Sequence, residues 1–363
     1  MNKFFPEIKK NFGFGCMRFP TVEEKVDVAA VTEMVDHFMA EGFNYFDTAR
    51  PYHSGTSEGV VKTCLTSRYP REQYVLTNKL SPTKFETEEE IRPLFEDQLK
   101  ECGVDYFDFY LFHANSAIRH EKFTNTRAYD IVQELKAEGK IRHVGMSFHD
   151  SARVLDKILT ERPEIEVVQL QLNYADWDDP KVQSRKCYEV CRKHGKPVFV
   201  MEPVKGGTLV NLPEKAMKEL KKISPAELAI RFAASWPNVA MVLSGMSNME
   251  QMEDNLSFMA DFQPLSAEEH KAIEQVRTLY QAQHKIPCTF CRYCTDGCPA
   301  GIPIPDVFAC MNRKRAGEGN PEQDYAAFEN GASACIGCGQ CEEACPQHLQ
   351  IRELLKEVDK AFV

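Results

Sequence analysis

Eight cysteines on the C-terminal side fall into two copies of one spacing: Cys288-x2-Cys291-x2-Cys294-x3-Cys298-Pro299 and Cys335-x2-Cys338-x2-Cys341-x3-Cys345-Pro346. Three thiolates two residues apart can wrap one cube of iron and sulfide, and the turn at the proline carries the fourth away to a second cube. The spacing therefore predicts two [4Fe–4S] clusters ligated crosswise. Cys288, Cys291, Cys294 and Cys345 hold one; Cys335, Cys338, Cys341 and Cys298 hold the other. Structural zinc fits less well, because zinc sites normally use separated pairs of ligands, four per ion.

Nine of the 14 cysteines lie between Cys288 and Cys345. In a compartment that keeps thiols reduced, such density points to metal rather than disulfides. Cys310 matches no ligand position, and the scattered Cys16, Cys64, Cys102, Cys187 and Cys191 read as packing thiols. The remaining bulk properties exclude partners more than they name them. No window approaches the roughly 18 consecutive apolar residues of a membrane span. The N-terminal segment has no apolar signal core before its next charges, so a cytoplasmic protein is expected. A formal net charge of −10 argues against nonspecific binding to nucleic acid or anionic membranes.

The chain of 363 residues fits one large domain and one small one, with boundaries expected at 1–283 and 284–363 and a linker at Gln283–Pro287. From residue 13 to about 260, short apolar runs alternate with amphipathic helical patterns. Strands are expected at Phe12–Met17, Phe43–Thr48, Tyr74–Lys79, Phe107–His113, His143–Phe148, Val167–Asn173, Pro197–Pro203 and Val239–Gly245. They are apolar on both faces, as in parallel sheets covered by helices. Eight strand–helix units suggest an α/β fold of the (β/α)8 TIM-barrel type, with a small, mainly helical C-terminal iron–sulfur domain. A doubly wound nucleotide-binding fold is the runner-up, but no G-x-G-x-x-G follows the first strand. In the C-terminal region, helices are expected over Ile304–Arg315, Glu322–Phe328 and Gln350–Phe362.

Barrel chemistry sits at the C-terminal ends of strands. Asp47 ends the second strand, Lys79 the third and His113 the fourth, and Tyr52 follows Asp47 by five residues. These types form a coherent acid–base set. A lysine beside a tyrosine favours phenolate, an aspartate orients the lysine, and a histidine positions a carbonyl oxygen or shares its proton. Any one of them alone is as often a structural ion-pair member.

The segments Phe46-Asp47-Thr48-Ala49-Arg50-Pro51-Tyr52, Thr77-Asn78-Lys79-Leu80, Asp108-Phe109-Tyr110-Leu111-Phe112-His113, Gly139 to Ser147 and Val168 to Tyr174 resemble the aldo-keto reductase superfamily in family order, over roughly residues 10–265. With its tail, the chain resembles the branch fused to a ferredoxin-like domain. The resemblance implies a barrel that binds NADPH or NADH and passes hydride between nicotinamide and a carbonyl carbon. Tyr52 is then the general acid, tuned by Lys79 and Asp47, with His113 orienting the substrate. Ser147 and Gln169 fall where the family holds the nicotinamide carboxamide. Gly245, Ser247 and Asn248 open a helix whose N-terminus suits a phosphate, and Gln251 and Asn255 follow on that helix. No Lys or Arg lies between Gly245 and Asn255, where the family places cations for the 2′-phosphate; Phe148 and Met201 replace a common asparagine and a stacking ring. Gly206 and Gly207 complete the common phosphate pocket of barrels, able to hold NAD(P)H or FMN.

Two functions follow. The first is an oxidoreductase acting on a small carbonyl or alcohol, coupled to or supported by two clusters. The second is an iron–sulfur electron-transfer module using the barrel as a docking or flavin-binding scaffold, with a redox partner protein. Trp177, Tyr174 and Phe148 are candidate substrate walls or barrel-rim packing.

Overall fold

The computed structural model describes residues 2–220 and 223–362. Met1 and Val363, the outer ends of the two expected domains, lie outside the described residues. The chain forms two compact units. One comprises Met1–Asp178, Gln183–Pro203 and Ala226–Ser266; the other comprises Asp179–Val182, Val204–Pro225 and Ala267–Val363. The second unit thus takes in the segment after the seventh strand and a helix before residue 283, beyond the stretch that the cysteines mark out. Among the described residues no helix is long and apolar enough to cross a membrane.

The first unit is a closed barrel of parallel strands β1 (Phe12–Gly15), β2 (Tyr45–Asp47), β3 (Val75–Leu80), β4 (Phe107–Asn115), β5 (Ile141–Phe148), β6 (Val167–Gln171), β7 (Val198–Met201) and β8 (Val239–Ser244). Each pairs with its neighbours in sequence, and β8 closes on β1 with Gly13 opposite Leu243. The helices that follow them are α1 (Val28–Ala40), α2 (Ser57–Val61), α3 (Ile91–Cys102), α4 (Ala128–Ala137), α5 (Ala152–Glu161), α6 (Ser184–Lys193), α7 (Pro225–Ala234) and α8 (Met249–Met259). Strands β1 and β2 are shorter than their apolar runs: Cys16–Arg18 turns as a 3-10 helix, and β2 spans only Tyr45–Asp47, with Thr48 N still donating to Thr77 O at 2.9 Å.

Local signals set the helix ends. Asp27 accepts from Ala30 N at 3.1 Å and caps α1. Thr87 and Glu90 form a capping box ahead of α3. Gly139, at φ 78°, lets the chain leave α4, with Lys140 N bonding back to Leu135 O at 3.0 Å.

Inside the barrel, Tyr45, Val75, Phe109, Leu111, Val167, Phe199, Met241 and Leu243 pack together. The space is tight. A Cβ on Gly145 would lie 2.5 Å from Val167 Cγ1 and 2.7 Å from Leu111 Cδ2, so only glycine fits there. The amino ends of the strands are plugged by the N-terminal segment. Phe5 lies edge-on to Phe109 at 4.9 Å, and Asn44 accepts from Lys9 N at 3.0 Å.

The second unit carries α9 (Ala267–Gln281), α10 (Ile304–Ala316), α11 (Pro321–Ala326) and α12 (Ile351–Phe362). A separate apolar core joins Ile286, Ile302, Ile304, Val307, Phe308, Ile351, Leu355 and Val358 to the cysteine loops. Cys310 is buried on α10 and accepts from Arg313 Nη2 at 3.2 Å.

Candidate active site and cluster loops

Register brings the strand-end residues together. Asp47 on β2 pairs with Thr77 on β3, and Lys79 pairs with Leu111 on β4. Alternation then sends Thr77 and Lys79 into the barrel and Asn78 out toward the helices. Lys79 is fully buried. Its Nζ donates to Asp47 Oδ1 at 2.5 Å, to Thr48 O at 2.9 Å and to Tyr52 Oη at 3.2 Å. The Tyr52 ring stands at 84° to His113, with centroids 6.0 Å apart. The structure therefore gathers Asp47, Tyr52, Lys79 and His113 in one place.

Each member is braced. Tyr52 begins a tight turn in which His53 and Ser54 are left-handed, and His53 Nε2 accepts from Phe19 N at 3.2 Å. Behind Lys79, the buried Glu58 accepts from Asn78 and Gln98 at 2.8 and 2.9 Å and pairs with Arg50 at 2.7 Å. Burial raises the Glu58 carboxyl against those bonds. Burial, with the nearby Lys79 charge, holds His113 well below the usual histidine value, so its ring is neutral at physiological pH. Its Nδ1 lies 2.7 Å from Ser81 Oγ. Ser81 sits two residues beyond Lys79, and only that offset on a half-turn of strand marks it in the sequence.

The residues expected to hold a nicotinamide are already engaged with the protein. Gln169 Nε2 donates to Asp47 Oδ2 at 3.1 Å. Ser147 Oγ accepts from Ala114 N at 2.7 Å, fixing the left-handed residue after His113. Asn248 caps α8 by accepting from Gln251 N, and Gln251 Oε1 accepts from Ser247 N, both at 2.8 Å. Asn255 Nδ2 donates to Ser244 Oγ at 2.8 Å. From outside 245–255, the stem of Arg18 packs against Gly245, where a Cβ would lie 2.6 Å from Arg18 Cγ, and Ser247 Oγ donates to Arg18 O at 2.9 Å. Gly206, in the second unit, lies against the backbone of Thr289, and Gly207 is left-handed at φ 92°. Trp177 stacks on Trp236 at 4.1 Å and Tyr174 meets Phe232 edge-on, so both belong to an aromatic cluster with α7.

The cysteines surround two small concavities. Cys288, Cys291, Cys294 and Cys345 line one; Cys298, Cys335, Cys338 and Cys341 line the other. Burial, then the neighbouring Cys291, Cys288 and Cys345, push the Cys294 thiol up. Burial, Glu342, Cys335 and Cys338 push Cys341 up to about 11. Four thiolates crowded in this way need positive charge among them. Among the described residues no three His, Cys, Asp or Glu side chains converge to hold a single metal ion. A donor set of four thiols facing one concavity, in each of two places, fits an iron–sulfide cube.

Comparison with known proteins agrees with this geometry. Residues 11–278 match the aldo/keto reductase family, and residues 287–349 match the 4Fe-4S dicluster domain. The chain is 24% identical over 301 residues to the uncharacterized oxidoreductase YqkF of Bacillus subtilis, covering 72% of this chain and 90% of that one. It is 26% identical over 264 residues to the NADH-specific methylglyoxal reductase of Escherichia coli, covering 60% and 78%. Among solved structures, an aldo-keto reductase from Bacillus halodurans in its holo form superposes with a TM-score of 0.59 at 26% identity, covering 73% and 91%. One from Klebsiella pneumoniae in complex with NADPH gives 0.60 at 20% identity, covering 74% and 90%, a likeness of fold. The chain belongs to the aldo/keto reductase family, an oxidoreductase whose barrel continues into a 4Fe-4S ferredoxin-like domain.

Proposed function

We propose that the barrel catalyses reduction of a small carbonyl compound, or oxidation of the corresponding alcohol, with NADH or NADPH, and that the C-terminal domain holds two [4Fe–4S] clusters on crossed cysteine sets. The observation that carries the reading is the Lys79 ammonium, buried between Asp47 Oδ1 and Tyr52 Oη at 2.5 and 3.2 Å beside a neutral His113. Bound nicotinamide supplies or accepts the hydride. The chain's own residues handle the proton. Tyr52 gives its phenolic proton to the substrate oxygen during reduction, and Lys79 stabilises the phenolate that remains. His113, neutral, donates a hydrogen bond to the same oxygen without carrying charge. Gln169 and Lys79 hold both carboxylate oxygens of Asp47, so the aspartate keeps Lys79 aimed at Tyr52. Arg18 beside Gly245 gives the nucleotide phosphates a cation.

The nucleotide in the Klebsiella structure and the coenzyme named for the E. coli relative support a nicotinamide here. A second reading, an electron-transfer module with the barrel as scaffold, draws on Asn248 and Gln251, whose side chains occupy the donors at the start of α8. One experiment separates them. Anaerobically purified protein and its Tyr52→Phe variant are assayed against a panel of small aldehydes and ketones with each nucleotide. The variant should lose about 10²–10⁴-fold in kcat while iron content and cluster absorbance stay unchanged. Turnover equal in the two proteins, or no turnover and no quenching of nucleotide fluorescence by the wild type, favours the scaffold reading.

A further inference from the structure

The two cysteine runs fold alike and are covered unequally. Left-handed backbone recurs at matching offsets. It falls two and four residues after the first cysteine, at Phe290 and Arg292 in one run and Gly337 and Gly339 in the other, and three after the fourth cysteine, at Gly301 and His348. Successive turns of this kind aim backbone N–H groups into a concavity suited to negative charge. The cavity walls match as well. The residue after the first cysteine, Thr289 or Ile336, and the second residue after the fourth, Gln347 or Ala300, line corresponding positions of the two cavities.

Their surroundings differ. Thr289 is 1% exposed, whereas its counterpart Ile336 is 70% exposed. Gln347 is buried, whereas Ala300 is half-buried. The turn Lys205–Gly207 makes the difference. Gly206, at φ 62°, approaches so closely that a Cβ would lie 2.5 Å from Thr289 O. Lys205, 3% exposed and itself left-handed at φ 50°, donates Nζ to Gln347 Oε1 at 2.8 Å. An arginine lines each cavity, Arg292 in one and Arg352 in the other; the first has in addition a buried lysine behind its wall, reaching it through Gln347.

We propose that Lys205 sets the two clusters apart in reduction potential, raising that of the cluster on Cys288, Cys291, Cys294 and Cys345. The proposal rests on the crossed two-cluster reading. Reduction adds one electron and one negative charge to the centre and breaks no bond. An ammonium buried behind the wall favours that more negative state, and charge and hydrogen bonding around the sulfurs are established levers on cluster potential. Lys205 touches no reacting atom. It acts through Gln347 and its field, so it is a positioning residue.

The test is an anaerobic redox titration of the full-length iron-loaded protein, followed by EPR, with wild type, Lys205→Gln and Lys205→Arg. Wild type should show two midpoints. Lys205→Gln should lower the higher one by at least tenfold in the reduction equilibrium, about 59 mV for one electron, and leave the other in place. Lys205→Arg should keep both. Unmoved midpoints, or an equal shift of both, at full iron content overturn the proposal. Loss of the cluster from both variants assigns Lys205 to packing and overturns it too. If only Lys205→Gln loses the cluster, Gln347→Glu decides: the opposite charge at the same contact should lower the same midpoint, and an unchanged midpoint overturns the proposal. The underlying reading fails separately, through a wild type with about four iron atoms per chain and one EPR signal, and the proposal falls with it.

Discussion

His113 shows how burial decides the charge of a catalytic candidate. Burial keeps the ring neutral, so one ring nitrogen carries a proton and the other does not. The Ser81 hydroxyl, 2.7 Å from Nδ1, can donate to that nitrogen or accept from it; under the proposed function, in which the other ring nitrogen donates to the substrate oxygen, Ser81 Oγ is the donor. Removing the hydroxyl leaves a buried ring nitrogen without that partner, a cost of about 1–3 kcal/mol that falls on the competent tautomer. Under the proposed function, Ser81→Ala should lower kcat roughly tenfold with KM little changed, and Ser81→Thr should restore it. The 15N chemical shifts of the His113 ring should report a mixed tautomer in Ser81→Ala. A Ser81→Ala enzyme with wild-type kcat and unshifted resonances removes Ser81 from the site. Asp47, Tyr52, Lys79 and His113 were legible because each is an ionisable or phenolic group set at the end of an apolar run. Ser81 was not, because a serine in that place carries no such contrast. Ser147 and Gln169 were expected at the nicotinamide, and their bonds to Ala114 N and Asp47 depend on the ladder between β5 and β6.

At the scale of elements, the amino end of the barrel is tied by charge across three segments. His143 on β5 bonds Glu7 of the N-terminal segment at 2.9 Å and Glu166, just before β6, at 3.1 Å. Burial opposes charge on His143, but the bonds to Glu166 and Glu7 outweigh it and raise the imidazole to about 9. The folded value lies above the ordinary 6.5. The stabilisation is therefore fully present below about pH 6.5 and is lost as pH rises through about 9. Chemical denaturation across that window should show wild type losing up to about 3 kcal/mol relative to His143→Gln, whose stability should lack this slope. Parallel curves for the two proteins exclude the triad as a source of stability. The strand itself was legible from its apolar run. The N-terminal plug was not, since Phe5 and Ile8 form no periodic pattern and acquire a role only when the strand ends close around them.

For the whole molecule, the proposed crossed arrangement would join residues from both ends of the C-terminal domain in each cluster's ligation. Cys298 lines the cavity of Cys335, Cys338 and Cys341, and Cys345 that of the earlier run. Metal binding of this kind is also folding energy, because the small core of Ile302, Ile304, Phe308, Ile351 and Leu355 packs on the cysteine loops. Cys298→Ser and Cys338→Ser should abolish the same EPR signal, and the double variant should lose no more iron than either alone. Loss of different signals in the two single variants excludes the crossed arrangement.

The sequence by itself determined the eight strand–helix units, the acid–base set and the two cysteine runs. All three are written in short contiguous stretches, through apolar periodicity or fixed ligand spacing. Only the tertiary structure decided that Arg18 lies on Gly245, that Ser81 meets His113 and that Lys205 meets Gln347 at one cysteine cavity. Those contacts join residues from about 30 to more than 200 positions apart. They exist because barrel closure and the folding of the cysteine loops fix distances that no local pattern encodes.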